Sequence, residues 1–438
     1  MTQPPVPPIG ASALLTFLLQ LAALLLLAVC LGRLSVRLGM PALVGELLAG
    51  VLLGPTVLGH AAPRLAGWLF PAVAAQTHLL DAVSQLGVLL LVGITGAQLD
   101  LALFRRRGTA AARVSLGGLL LPLGLGIATG YLVPDALLPD GTRRAVFAMF
   151  LGAAMCVTAI PVIAKTLADL DLLHRNVGQL IIAAALFDDT VGWLLLAVVA
   201  SMAAGGAALA GTLPLTVLYM TIFVGAACLV GRPLGRRVLR VCERGRDPGP
   251  TIAVAVVIIL SYSAITAGAR LEALFGAFVA GATVLGLADP TRLAPLRTIV
   301  MSVLAPIFLA GIGLRMDLTT LGQPLVLLTG IAVLLVATLG KFLGAYLGAR
   351  AGRLSHREGL ALGIGMNSRG MIEVIIAMAG LRLGVLTTAT FTMIVLVAIV
   401  TSLTTPPLLR LVMRGFEPDA EERSRQQRQA AWSTTRAA

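Results

Sequence analysis

The sequence predicts an all-α polytopic membrane protein of about thirteen transmembrane helices, arranged as two inverted six-helix repeats. Three observations lead there. Of 438 residues 58% are hydrophobic and 12% charged, with a mean hydropathy of +0.96, a balance foreign to soluble domains of this size. The apolar residues gather in runs long enough to cross the roughly 30 Å hydrocarbon core of a bilayer. Two of those runs recur in related form seven spans later.

The spans fall at roughly 11–32, 41–59, 83–100, 114–133, 145–168, 177–202, 213–231, 251–269, 271–288, 298–315, 325–349, 359–381 and 388–413. The boundary at Gly268-Ala-Arg-Leu-Glu272, between spans eight and nine, is the weakest. The opening Met1-Thr-Gln-Pro-Pro-Val-Pro-Pro8 lacks a basic region and a cleavage site, so no removable signal peptide is expected. A net charge of +13 would suit nucleic acid, but the arginines lie between apolar spans and in the tail, so no nucleic-acid partner is expected. With the N-terminus outside, cytoplasmic loops carry Arg105-Arg-Arg107 and the arginine-rich stretch from Arg232 to Arg246. External loops then hold only Arg64, Arg143, Arg144, Arg270, Arg315 and Arg382. That bias predicts an N-out, C-in integral protein of a bacterial-type plasma membrane.

Span two carries Ala42-Leu-Val-Gly45-Glu-Leu-Leu-Ala49-Gly50, and span nine carries Ala273-Leu-Phe-Gly276-Ala-Phe-Val-Ala280-Gly281. Span three ends in Gly93-Ile-Thr-Gly96-Ala-Gln-Leu-Asp100, and span ten in Gly311-Ile-Gly313-Leu-Arg-Met-Asp317. An offset of seven spans is odd, so the partners run in opposite directions, as in transporter repeats of inverted topology. The expected organisation is a first repeat over 1–202, a linker helix and basic loop over 203–248, a second repeat over 249–413 and a short polar tail over 414–438. Chance likeness between small-residue packing faces is the plainer alternative.

The same mirror pairs span five with span twelve, and each contains an interruption: Cys156-Val-Thr158-Ala-Ile-Pro161 in one, Gly365-Met-Asn367-Ser368-Arg369-Gly370 in the other. Proline removes an amide donor, and irregular backbone at membrane depth is tolerated only where protein or a water-filled cavity satisfies it. Paired breaks therefore point to a substrate site.

Charge is sparse within the spans. Asp188 and Asp189 sit together near the middle of span six, in Ala183-Ala-Ala-Leu-Phe-Asp188-Asp189-Thr190-Val-Gly-Trp193. A carboxylate at that depth costs about 2.5–3.5 kcal/mol on insertion scales, and such groups usually mark ion or proton pathways. An aspartate that only pairs helices is the bland alternative. Lys341 lies in span eleven, one of only two lysines beside 31 arginines; it is a candidate charge partner or, more plainly, a snorkelling side chain. Arg369 and Glu373, four residues apart, are expected on one helical face after the second break.

A carboxylate so placed can hold a proton or a small monovalent cation but not both, which yields exchange. Asp189, Asp188 and Thr158 are the candidate cation ligands, with Asn367, Ser368, Arg369 and Glu373 in support. Glu46, near the end of span two, is read as a packing or entrance residue. Cys30, Cys156, Cys228 and Cys242 are scattered without metal-ligand spacing, and His60, His78, His174 and His356 fall in loops, so neither a cofactor nor an enzyme is expected.

Met40-Pro-Ala-Leu-Val-Gly45-Glu-Leu-Leu-Ala-Gly50, Thr158-Ala-Ile-Pro161, the aspartate pair, Gly340-Lys341-Phe-Leu-Gly344 and Asn367-Ser-Arg-Gly370-Met-Ile-Glu373 together resemble the monovalent cation:proton antiporter superfamily, in its sodium/proton and Kef-type branch. The resemblance implies two crossed discontinuous helices in a core domain, a dimerisation domain, a homodimer and elevator-like alternating access. It implies that Asp189 is the ion carrier, that Asp188 pairs with Lys341, and that exchange is electrogenic, two protons for one sodium. The expected substrates are thus Na⁺ (or Li⁺) and protons, with K⁺ the nearer alternative and a gated cation channel the more distant one. The 25 or so residues after span thirteen contain no Gly-rich fingerprint, so nucleotide gating is not expected.

Overall fold

The computed structural model describes residues 9–71, 73–97, 101–172, 175–204, 209–243, 245, 247–269, 271–416 and 422. Asp100, His174, Arg246, Arg270 and, apart from Glu422, the tail beyond Phe416 lie outside the described residues. Every regular element among them is helical. The first are α1 (Ala11–Arg37), α2 (Ala42–Leu53), the short α3 (Leu58–Ala61) and α4 (Pro63–Leu69), and α5 (Ala74–Ala97). Next come α6 (Leu101–Leu132), α7 (Arg144–Cys156), α8 (Ile160–Asp169), α9 (Asn176–Ala204), α10 (Leu209–Ala226) and α11 (Arg232–Glu243). The remainder are α12 (Gly249–Gly268), α13 (Ala273–Thr283), α14 (Pro290–Ile299), α15 (Ala305–Gly313), α16 (Pro324–Ala351), α17 (His356–Met366), α18 (Met371–Arg382) and α19 (Thr388–Met413).

Ten helices among the described residues are long and apolar enough to cross a membrane, and eleven if the bent pair α17 and α18 counts as one. The expected thirteen are not reached on that measure. The shortfall lies in spans five and nine, whose apolar helices, Arg144–Cys156 and Ala273–Leu287, are short. Span five is short because its break ends α7 at Cys156; Val157 is already extended, and a new helix starts at Ile160. Pro161 therefore stands in the first turn of α8, where a missing amide costs little, rather than kinking a continuous helix.

The chain divides into two compact units, 1–97 with 227–263 and 277–319, and 98–226 with 264–276 and 320–438. The first is held together by backbones in close approach. A Cβ on Gly50 of α2 would lie 1.9 Å from the Ala310 carbonyl of α15 and 2.7 Å from Gly313 Cα; one on Gly281 of α13 would lie 2.1 Å from the Gly93 carbonyl of α5 and 2.9 Å from Gly96 Cα. Only glycine allows either contact. Glu46, half-buried, packs against Gly32 of α1 in this unit.

The second unit contains both breaks and α9. Here α6 and α16 cross with no side chain between them: a Cβ on Gly117 would meet the Gly344 carbonyl at 2.3 Å, and one on Gly344 the Gly117 carbonyl at 2.2 Å. α17 begins with a capping box of Ser355 and Glu358, ends at Met366, and is bent by 42° from α18 across Asn367–Gly370.

Candidate functional site

Two breaks leave helix ends at membrane depth, and in this unit the ends satisfy one another. The amide of Ala159 donates to the Ser368 carbonyl at 2.9 Å, and the Thr158 hydroxyl lies 2.8 Å from the Met366 carbonyl. The last turn of α7 leaves carbonyls without intrahelical donors. Three in succession are met by buried cations. Arg369 donates from Nη1 to Ala154 (3.0 Å) and from Nη2 to Met155 (2.6 Å), while Lys341 Nζ donates to Cys156. Positive charge at a helix C-terminus also opposes its dipole.

Asp188 is enclosed on all sides. Its Oδ2 accepts from Lys341 Nζ at 2.5 Å and from Thr158 Oγ1 at 2.8 Å; its Oδ1 accepts from Ser115 Oγ at 2.6 Å. Lys341 and Asp188 are both wholly buried, so the snorkelling alternative falls. Asp189, 1% exposed, differs: no side chain donates to either of its carboxylate oxygens. The backbone amide of Ile160, at the head of α8, is directed at its carboxylate as a weak donor.

Arg369 and Glu373 form the second buried pair, at 3.3 Å. Arg369 stands within the break, before α18 begins, so the pair spans the helix start instead of lying along one helical face as the spacing suggested. Arg369 Nη2 also reaches the Ala337 carbonyl at 3.0 Å, and Ser402 donates to the Arg369 carbonyl. Asn367 donates to the Thr338 carbonyl at 3.0 Å, leaving its Oδ1 without a partner, as are Ser368 Oγ and Glu373 Oε2.

Asp188, Lys341 and Thr158 thus meet directly. Asn367 and Ser368 belong to the second break, which is bonded to the first, and Arg369 and Glu373 brace the same end of α7. Three carboxylates (Asp188, Asp189, Glu373) accompany two cations (Lys341, Arg369) in this cluster, which leaves one negative charge unmatched when all are ionised. The carboxylate with no cation in contact is Asp189. Sequence reasoning missed Ser115 and Ser402; a single serine in an apolar helix gives no signal of its own.

The chain matches the sodium/hydrogen exchanger transmembrane family over residues 22–411. It is 32% identical over 403 residues to the Na⁺/H⁺ antiporter NhaS4 of Synechocystis, covering 91% of this chain and 97% of that one. It is 29% identical to the Na⁺/H⁺-K⁺ antiporter GerN of Bacillus cereus, covering 90% and 95%. It spans about half the length (48%) of the Arabidopsis cation/H⁺ antiporter 19 that it also matches. The sodium proton antiporter MjNhaP1 of Methanocaldococcus jannaschii has the same fold, with a TM-score of 0.64 over 91% of this chain and 99% of that one, at 15% identity. The chain belongs to the sodium/hydrogen exchanger family, as an integral membrane antiporter of monovalent cations and protons and not an enzyme.

Proposed function

We propose that the protein exchanges sodium or lithium for protons at Asp189, in an electrogenic cycle of two protons per cation. The observation that carries this reading is the contrast within one pair: Asp188 is held by Lys341, Thr158 and Ser115, whereas neither oxygen of Asp189 has a side-chain donor or a cation in contact. A buried, unpartnered carboxylate is costly to keep ionised. Either a proton or a cation removes that cost, and one excludes the other. Competition for one site, offered to the two sides in turn, couples the two gradients. Oxygens at the breaks, with the Thr158 hydroxyl, the Asn367 amide and the Ser368 hydroxyl, complete a shell suited to a hard monovalent ion, while Asp188, a further cation ligand on the sequence reading, has both oxygens engaged by donors.

Sodium is favoured by the name NhaS4 bears; the second reading, potassium/proton exchange, is favoured by the potassium in the name of GerN. The inverted repeat of thirteen spans is supported by the glycine contacts. Gly50 aligns with Gly281 and Gly313 with Gly96, and Gly50 touches Gly313 while Gly281 touches Gly96. The N-out orientation rests on the arginine bias. A homodimer moving ions by an elevator-like step is the assembly the family resemblance implies.

Proton flux in proteoliposomes bearing an imposed pH gradient tests this, with Na⁺, Li⁺ and K⁺ added in turn. Dissipation by Na⁺ and Li⁺ that responds to membrane potential is expected. A response to K⁺ as strong moves the protein to the potassium reading, and no response to any of the three removes the proposal.

A further inference from the structure

Many threonines among the described residues donate back into their own helices. Thr95, Thr129, Thr166 and Thr190 each bond the carbonyl four residues earlier. Ser115, wholly buried in α6, instead donates across to Asp188 Oδ1 at 2.6 Å. It is held there by the α6–α16 crossing, where Gly117 meets Gly344 and Gly348 meets the Arg113 carbonyl, backbone against backbone. The same crossing presents Lys341 to the other oxygen of Asp188. Thr158 is a less committed donor. Its one hydroxyl hydrogen faces two acceptors at 2.8 Å, Asp188 Oδ2 and the Met366 carbonyl, and serves one at a time. Ser115 is thus the donor to Asp188 Oδ1, the oxygen that Lys341 and Thr158 do not engage.

We infer that Ser115 is a positioning residue that keeps Asp188 out of the cation's ligand shell and so sets ion preference through Asp189. The inference rests on the exchange proposed above. Without the serine hydroxyl, Asp188 Oδ1 becomes another buried carboxylate oxygen with no donor, on the residue next to the carrier. Such an oxygen is best satisfied by the cation itself. A second anionic ligand raises the field strength of the site, which favours the smaller ion.

The test is cation-dependent proton exchange in proteoliposomes by wild type, Ser115→Ala and Ser115→Cys. Ser115→Ala is expected to lower the apparent KM for Li⁺ relative to Na⁺ by about threefold or more, and Ser115→Cys, which keeps a weak donor of larger volume, to fall between it and wild type. A packing role reverses that order, because the bulkier thiol disturbs the crossing more than alanine does. Ser115→Cys more impaired than Ser115→Ala, or a Na⁺/Li⁺ KM ratio unchanged in both, overturns the role of Ser115 while leaving exchange at Asp189 intact. If Ser115→Ala fails to accumulate, the Ser115→Cys ratio decides alone: intermediate supports the inference, unchanged ends it. A wild type that exchanges none of the ions overturns the proposed function and this inference together.

Discussion

Replacing Lys341 by glutamine tests the arrangement at its most heavily loaded contact. The ammonium is wholly buried, 2.5 Å from Asp188 and bonded to the Cys156 carbonyl. Removing one partner of a buried ion pair costs about 3–5 kcal/mol, because the other charge remains where water cannot reach it. Asp188 keeps Ser115 and Thr158, so the lower end of that range, about 3 kcal/mol, is expected. Melting entropy grows with chain length, so for a chain of 438 residues 1 kcal/mol moves the midpoint by about 1 °C. Lys341→Gln should therefore unfold about 3 °C below wild type in detergent, and Asp188→Asn/Lys341→Gln should recover most of the loss. The assay is thermal unfolding of the single and double variants beside solid-supported membrane currents. A single variant that melts with wild type and moves the same charge per turnover would refute the reasoning.

Other outcomes follow from the same geometry. Asp189→Asn should abolish cation-coupled proton flux while the melting midpoint stays at or above the wild-type value, since the unpartnered charge is gone; retained coupling ends its assignment as carrier. Gly344→Ala sets a Cβ 2.2 Å from the Gly117 carbonyl, so α6 and α16 must part. A stability loss of about 1–3 kcal/mol and at least a tenfold slower exchange are expected, the latter because Ser115 and Lys341 both leave register with Asp188. Asp289 caps α14, and its bonds from the Thr291 hydroxyl and amide hold its pKa below the ordinary 3.8. Its contribution is present above pH 3.8 and is lost as the pH falls through the lowered value, so melting curves of Asp289→Ala should lie below wild type at pH 7 and converge with it at strongly acid pH.

The parts of the site legible in the sequence are those that are expensive in a membrane. Asp188, Asp189 and Lys341 stand out because ionisable groups in apolar runs need a reason, and the breaks at Thr158 and Asn367 because polar or proline-bearing interruptions do. Ser115 was hidden because serine is cheap in a helix, where it can bond its own backbone. Carbonyls 154–156 were hidden because every residue has one. Two of the thirteen spans are short for a related reason: span five is broken by the site itself, and α13 has only 11 residues. The spacing of Arg369 and Glu373 gave their pairing but not its setting, since a four-residue interval does not reveal where a helix begins.

The three donors on the end of α7 bear on how fast the protein can work. Freeing the carbonyls of Ala154, Met155 and Cys156 in a dry interior would cost about 1–3 kcal/mol each, together some 3–9 kcal/mol. A cycle that had to break them would turn over about 10²- to 10⁷-fold more slowly than one that did not. A fast route must therefore carry α7, α16 and the second break along as a single piece, with these bonds as rivets rather than hinges.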